Sequence, residues 1–193
     1  MTLNPLWWLR RLSAIPPLPI FLKEPRSIIR RPRDIENPRY ISLGRGTRIR
    51  EHSWISAIPQ YAGVRFEPRL EVGEDVYIGR YVCITCTGHM WIGDGVVLSE
   101  HVYIADSAHG IDPRGGPIMR QPLITRGPVR IGAGSFIGYG ARILPGVTLG
   151  EHCVVGANSV VTRSFGAFSM VAGAPAKLIK RYNHASEKWD LLE

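Results

Sequence analysis

From Ile131 to Val161 an aliphatic residue stands at every sixth position: Ile131, Ile137, Ile143, Leu149, Val155 and Val161, with Gly following at 132, 138, 150 and 156. A strand alternates every two residues and a helix repeats every 3.6, so neither explains a period of six. One short strand per unit, with a turn at each corner and three units to a coil, does: the pattern predicts a parallel β-helix. The same spacing links Leu43, Ile49 and Ile55, and then Phe66, Val72, Ile78, Ile84 and Met90. A two-residue slip resets it to Ile92, Leu98 and Ile104. Two stretches fall out of register, residues 56–65 and a longer insertion at about 106–128 that is rich in Gly and Pro.

The ends follow other rules. Residues 1–38 show no period, and Pro5, Pro16, Pro17, Pro19, Pro25, Pro32 and Pro38 leave room for no more than a helical turn around Leu6–Leu12. Beyond Val161, residues 162–174 read as an exit loop, and PAKLIKRY and SEKWDLLE as short helical pieces, the last with Ser186 as its N-cap. The expected architecture is all-β: an arm over 1–38, a β-helix over 39–165 with the insertion 106–128, and a tail over 166–193 ending in a short helix. One coil cannot bury its inward aliphatics, but stacked coils can. Each inward Ile or Val then contributes about 1.5–3 kcal/mol.

Composition narrows the setting. The chain has 193 residues, enough for one domain with a substantial core. Three cysteines, Cys83, Cys86 and Cys153, are too few and too uneven for a disulfide framework, which fits a reducing compartment. No apolar run approaches the ~20 residues that cross a bilayer. The first residues do not read as a secretory signal, so a cytoplasmic location is expected. The net charge is +8, and all of it lies in residues 1–50, which hold eleven Lys/Arg against three acids. Trp7–Trp8 beside Arg10–Arg11 suits contact with the inner face of an anionic membrane; packing of those aromatics on the prism or on a neighbouring subunit is the alternative. No nucleic-acid recognition motif accompanies the charge.

Cys83 and Cys86 form a C-x-x-C, but no second pair completes a zinc site and Ile84 between them is in repeat phase, so they read as structural. No metal is expected. Lys177 and Lys180, read as one helical turn apart, would share a face. Asp106 and Asp112 flank His109 in ADSAHGID, where the repeat breaks. Either carboxylate is placed to orient the imidazole; Asp106 is equally placed to cap a turn.

The units of 131–161, the looped-out His109 and the tail VAGAPAKLIKR resemble the hexapeptide-repeat acyltransferases, above all the sugar O-acetyltransferases of the maltose, galactoside and lipopolysaccharide or capsule type. The resemblance covers about residues 66–181. It implies a left-handed β-helix, against the right-handed habit of parallel connections. It also implies acetyl-CoA as co-substrate, a homotrimer, and a sugar hydroxyl as acceptor, on a cell-surface polysaccharide or its precursor. His109 matches the family's catalytic histidine, a general base for which an imidazole titrating near ~6.5 is suited. CoA contacts are implied at Tyr139, Ala157, Thr162, Arg163, Lys177 and Lys180, where a pyrophosphate and a 3′-phosphate call for cations and backbone N–H groups. The chain departs from the maltose type before the coil that precedes the histidine: RYVCITC has no Asn where that type holds its acceptor. Three alternatives stay open: N-acetyl transfer to an amino sugar or antibiotic, a metal hydratase on a similar prism (though no H-x₄-H pair is present), and a non-catalytic binding module.

Overall fold

A computed structural model describes residues 27–191. The chain winds as a three-sided prism of parallel strands, most of them two to four residues long. On the first face Ile29, Ile49, Ile78, Leu98, Ile137, Val155 and Val171 lie in register, one coil upon the next. On the second face the column is Ile35, Ile55, Ile84, Ile104, Ile143 and Val161. On the third face each of four strands offers two inward residues. Ile41, Leu70, Met90 and Val129 form one column; Leu43, Val72, Ile92 and Ile131, followed by Leu149, form the other. With the partly covered Ile29 and Ile35 packed against its end, this set forms most of the core, and buried residues such as Val76, Val96, Val102 and Cys153 complete it.

The corners explain the glycines. A Cβ on Gly132 would stand 2.4 Å from the backbone of Gly150 on the next coil, so the coils approach too closely there for any side chain. At the corner between the first and second faces the left-handed position is taken instead by His52, Tyr81 and His101, with φ of 64°, 58° and 60°. Their rings stack, with centroids 4.9 and 4.8 Å apart, which offsets part of the strain.

Three expectations change. The prism begins before residue 39: Ile28–Ile29 pairs with Arg48–Ile49, and Asp34–Glu36 with Trp54–Ala57. The two-residue slip between Met90 and Ile92 is no break, because both point inward from the single strand His89–Ile92. And the tail is not helical. Ser169–Gly173, Ala176–Asn183 and Lys188–Leu191 continue the first face as strands, the last two antiparallel. Edge backbone left by the last coil is satisfied by the returning chain, which outweighs the helical spacing of the charges. Ser186 lies in the turn between the last two strands and caps no helix. The stretch carrying Trp7–Trp8 lies outside the described residues.

Candidate active site

Both stretches that fall out of register leave the prism at one corner, between the second and third faces. The first is a hairpin of Gln60–Tyr61 and Val64–Arg65, turned by Ala62 and Gly63 with φ of 47° and 80°. The second is a longer arm whose strands Ser107–His109 and Leu123–Thr125 pair antiparallel, His109 opposite Leu123. Between them the chain turns tightly at Thr87–Gly88.

The arm has a fixed base. Asp106 is 1% exposed, and its carboxylate accepts from the Thr87 N–H (2.8 and 3.0 Å), the Thr87 hydroxyl (2.9 Å) and the Gly88 N–H (2.8 Å). Of the two roles open to Asp106, the geometry displays the turn cap. Asp112 holds the Arg114 N–H at 2.9 Å and the Arg114 guanidinium, which keeps its carboxyl below the usual range. Among the described residues no hydrogen bond joins His109 to either aspartate.

His109 itself is exposed, and its neighbour comes from the other hairpin. The Tyr61 ring meets it edge-on at 5.4 Å between centroids, and the Tyr61 hydroxyl donates to the Met119 carbonyl at 3.1 Å. The two excursions therefore touch, with His109 at the contact. In the sequence the first excursion shows only as an interruption, so Tyr61 was not among the expected residues; its signal is the Tyr-Ala-Gly-Val run of a two-residue hairpin loop.

A second histidine lies at the base of the arm. His89, at the start of a third-face strand, shares a hydrogen bond with the Glu71 carboxylate (3.2 Å) and stacks on Trp91 (4.5 Å); the Arg130 guanidinium covers Trp91 at 4.3 Å. Arg69 also pairs with Glu71. Burial alone would raise the Glu71 carboxyl, but the hydrogen bonds from His89 and Arg69 outweigh it and hold the group below its ordinary value. His89 borders a depression of about 240 Å³ at the base of the arm, lined also by Gly88, Asp106, Thr125, Gly127 and Pro128. No sequence motif surrounds His89; the alternation His89-Met90-Trp91 along a strand is the only trace of the cluster.

The residues expected to hold CoA lie in the last coils and the tail, but on two different corners of the prism. Tyr139 and Ala157 occupy one corner on consecutive coils, where the Asn158 N–H donates to the Tyr139 carbonyl at 2.7 Å. Thr162 and Arg163 are exposed where the second face ends, on the same corner as the His109 arm, and Arg163 covers the Phe165 ring. Lys177 is paired with Ala172 and Lys180 with Met170. The register shift between Met170 and Val171 adds one residue to the Lys strand, so the two lysines share a face of the sheet, by a bulge rather than a helical turn. Ala172 in turn abuts Gly156, next to Ala157.

The thiols are unsuited to nucleophilic work. Burial, followed by the Asp106 carboxylate, pushes the Cys86 thiol far up, and burial raises Cys83 and Cys153. All three are free.

Residues 128–163 match the bacterial transferase hexapeptide (six repeats) family. A probable acetyltransferase of Mycobacterium tuberculosis is 34% identical over 146 residues, covering 76% of this chain and 44% of that protein. A putative lipopolysaccharide biosynthesis O-acetyl transferase of Escherichia coli is 35% identical over 123 residues, 61% of this chain and 63% of that one. The chain thus spans less than two thirds of the length of either relative. Among solved structures, AntD, an N-acyltransferase from Bacillus cereus in complex with dTDP and 3-hydroxybutyryl-CoA, superposes with a TM-score of 0.65 at 20% identity, over 93% of this chain and 89% of that one. That likeness shows the fold, a left-handed parallel β-helix.

Proposed function

We propose, from the premise that this chain belongs to the hexapeptide-repeat transferase family, that it transfers an acetyl group from acetyl-CoA to a sugar hydroxyl. The observation that carries this reading is the placement of His109. It stands exposed at the contact of the two excursions, on the same corner as Thr162 and Arg163, while the buried thiols supply no nucleophile.

The chemistry needs no covalent enzyme intermediate. One ring nitrogen of His109 takes the proton of the acceptor hydroxyl as its oxygen attacks the thioester carbonyl carbon. The tetrahedral intermediate then collapses, the C–S bond breaks, and the imidazolium returns the proton to the departing sulfur. Histidine serves both steps because it gains and loses a proton near neutral pH. Arg163, Lys177 and Lys180 supply cations for the phosphates of CoA, and the Tyr139–Ala157 corner supplies a backbone edge for its pantetheine arm. A trimer would place a neighbour's prism beside that corner.

An amine acceptor is the second reading, favoured by the acyl-to-nitrogen chemistry named for AntD. The acceptor is read as part of a cell-surface polysaccharide or its precursor, by analogy with the E. coli relative. The location read with it is cytoplasmic, peripheral to the inner face of the membrane. Release of CoA thiol from acetyl-CoA over a panel of matched hydroxyl and amino sugars tests the whole reading. Acceptor-dependent thiol release with the hydroxyl sugars supports it, preference for the amines turns it to the second reading, and no release with any acceptor overturns both.

A further inference from the structure

The three outer faces of the prism differ in character. Along the first face the outward column runs from Arg48 through Tyr77, Val97, Phe136, Val154 and Met170. Along the second it runs through Trp54, Cys83, Tyr103, Arg142 and Val160. Along the third it runs through Ser42, Glu71, Trp91, Arg130 and Thr148, which makes this the polar face. Where the third face begins lies a depression of about 590 Å³, bordered by Arg39, Tyr40, Ser42, Glu67, Arg69 and Glu71. Ser42 stands opposite Glu71, and Arg69 is two residues before it on the same strand, so all three point outward while Ile41 and Leu70 point into the core. The depression adjoins the foot of the first hairpin. The Phe66 N–H donates to the Pro59 carbonyl at 2.8 Å and closes that foot, and Glu67 and Pro68 lead from it onto the face. That hairpin carries Tyr61, the neighbour of His109.

The chemistry of this depression selects its occupant. Two guanidinium groups face two carboxylates, so its border carries no net charge, and the Tyr40 and Ser42 hydroxyls can donate or accept. Glu71 is already held: its side chain is only 20% exposed and is paired with Arg69 and His89. A carboxylate fixed in this way offers its remaining lone pairs at little ordering cost. An anion here would meet Glu67 and Glu71, and a cation would meet Arg39 and Arg69, like charges in either case. The centre of a protein interface is depleted in charge, which this depression is not. An uncharged polyol uses donors and acceptors alike. We propose that the depression binds an uncharged stretch of a saccharide chain, so that the acceptor is an assembled oligosaccharide or polysaccharide rather than a free sugar. The chain lies on the third face, and the sugar to be acetylated reaches past the hairpin to His109. This assignment rests on the transferase reading above and adds the size of the acceptor to it.

A glycan array carrying neutral, acidic and amino glycans, from monosaccharides to hexasaccharides, probed with the full chain, tests it. Calorimetric titration with the strongest neutral oligosaccharide and with its own monosaccharide follows. The oligosaccharide should bind about tenfold or more tighter than the monosaccharide. Arg69→Gln and Glu71→Gln should each remove most of that gain, because each loses hydrogen bonds made by a charged group. Ser42→Lys, at an exposed position, should block the depression with the fold intact by circular dichroism. Arg48→Gln, on the outer side of the first face, should leave the gain unchanged. Failure to bind any neutral glycan overturns the proposal, as does equal binding of monosaccharide and oligosaccharide, stronger binding of acidic or amino glycans, or an equal loss with Arg48→Gln. Thiol release from acetyl-CoA with the same two sugars separates the two levels. Length-dependent binding without thiol release contradicts the transferase reading alone, and thiol release without length dependence in binding contradicts this one alone.

Discussion

Along the second face Ile55, Ile84, Ile104, Ile143 and Val161 repeat one environment, each at 0% exposure and each in register with the residue a coil below. At the corner that follows, successive coils turn in different ways: a hairpin over 58–68, a two-residue turn at Thr87–Gly88, an arm over 107–128, a turn at Pro145–Gly146. The walls bury one aliphatic per unit, so each unit depends only on its neighbours and the set can be lengthened without new rules. The corner buries little of itself, and its order comes from specific polar contacts, of which the four to the Asp106 carboxylate are the densest. Residues at such a place can change without unfolding the prism, which makes it a suitable seat for chemistry.

Substitutions should separate the two regions. The largest effect is expected from Ile143→Asp, which puts an unpaired charge at a fully buried wall position. A loss of at least ~3 kcal/mol, seen as collapse of the denaturant midpoint or as insoluble protein, follows from lost transfer energy and an unsolvated carboxylate. Asp106→Ala comes next. It leaves the Thr87 and Gly88 N–H groups without their acceptor, at about 1–3 kcal/mol for each. The prism should survive by circular dichroism, the arm should become protease-sensitive, and turnover should fall further than CoA affinity does.

The smallest effect concerns Glu71. Its carboxyl is held below its ordinary value in the folded state, so the stability it contributes is present above the unfolded pKa of about 4.5 and is lost as the pH falls through the folded value. Wild type and Glu71→Gln should therefore differ in thermal midpoint near neutral pH and converge in acid. A gap that persists at low pH would show that Glu71 stabilises by packing rather than by its hydrogen bonds with His89 and Arg69.

What was legible in the chain follows the same division. Wall positions announce themselves, because burying Ile137 or Ile143 requires nothing but an aliphatic at the right phase. Ile29 and Ile35 were in phase with Ile41 as well, but Pro32 and Pro38 between them disguised the first coil as arm. Lys177 and Lys180 imitate a helical turn, and only the edge strand waiting at the end of the first face decides for a bulged strand instead. At the corner, the break in the repeat that carries His109 was legible, whereas the Tyr61 contact and the Glu71–His89 pair were not. Their meaning depends on which coil lies next to which, and no local spacing carries that.

The two histidines give the sharpest contrast between motif and geometry. His89 has the fixed carboxylate and the stacked aromatic that a general base is often given, yet it belongs to a wall strand. Among the described residues His109 has no carboxylate partner, and it is exposed, but it stands on the arm where both excursions meet. The direct measurement is acceptor-dependent turnover of His109→Ala and His89→Ala at saturating acetyl-CoA, with CoA affinity measured alongside. His109→Ala should lose about 10²–10⁴-fold in kcat with CoA binding intact, while His89→Ala stays within about tenfold of wild type. Near-normal turnover by His109→Ala, with the large loss falling on His89→Ala, would contradict the assignment of His109 as the base.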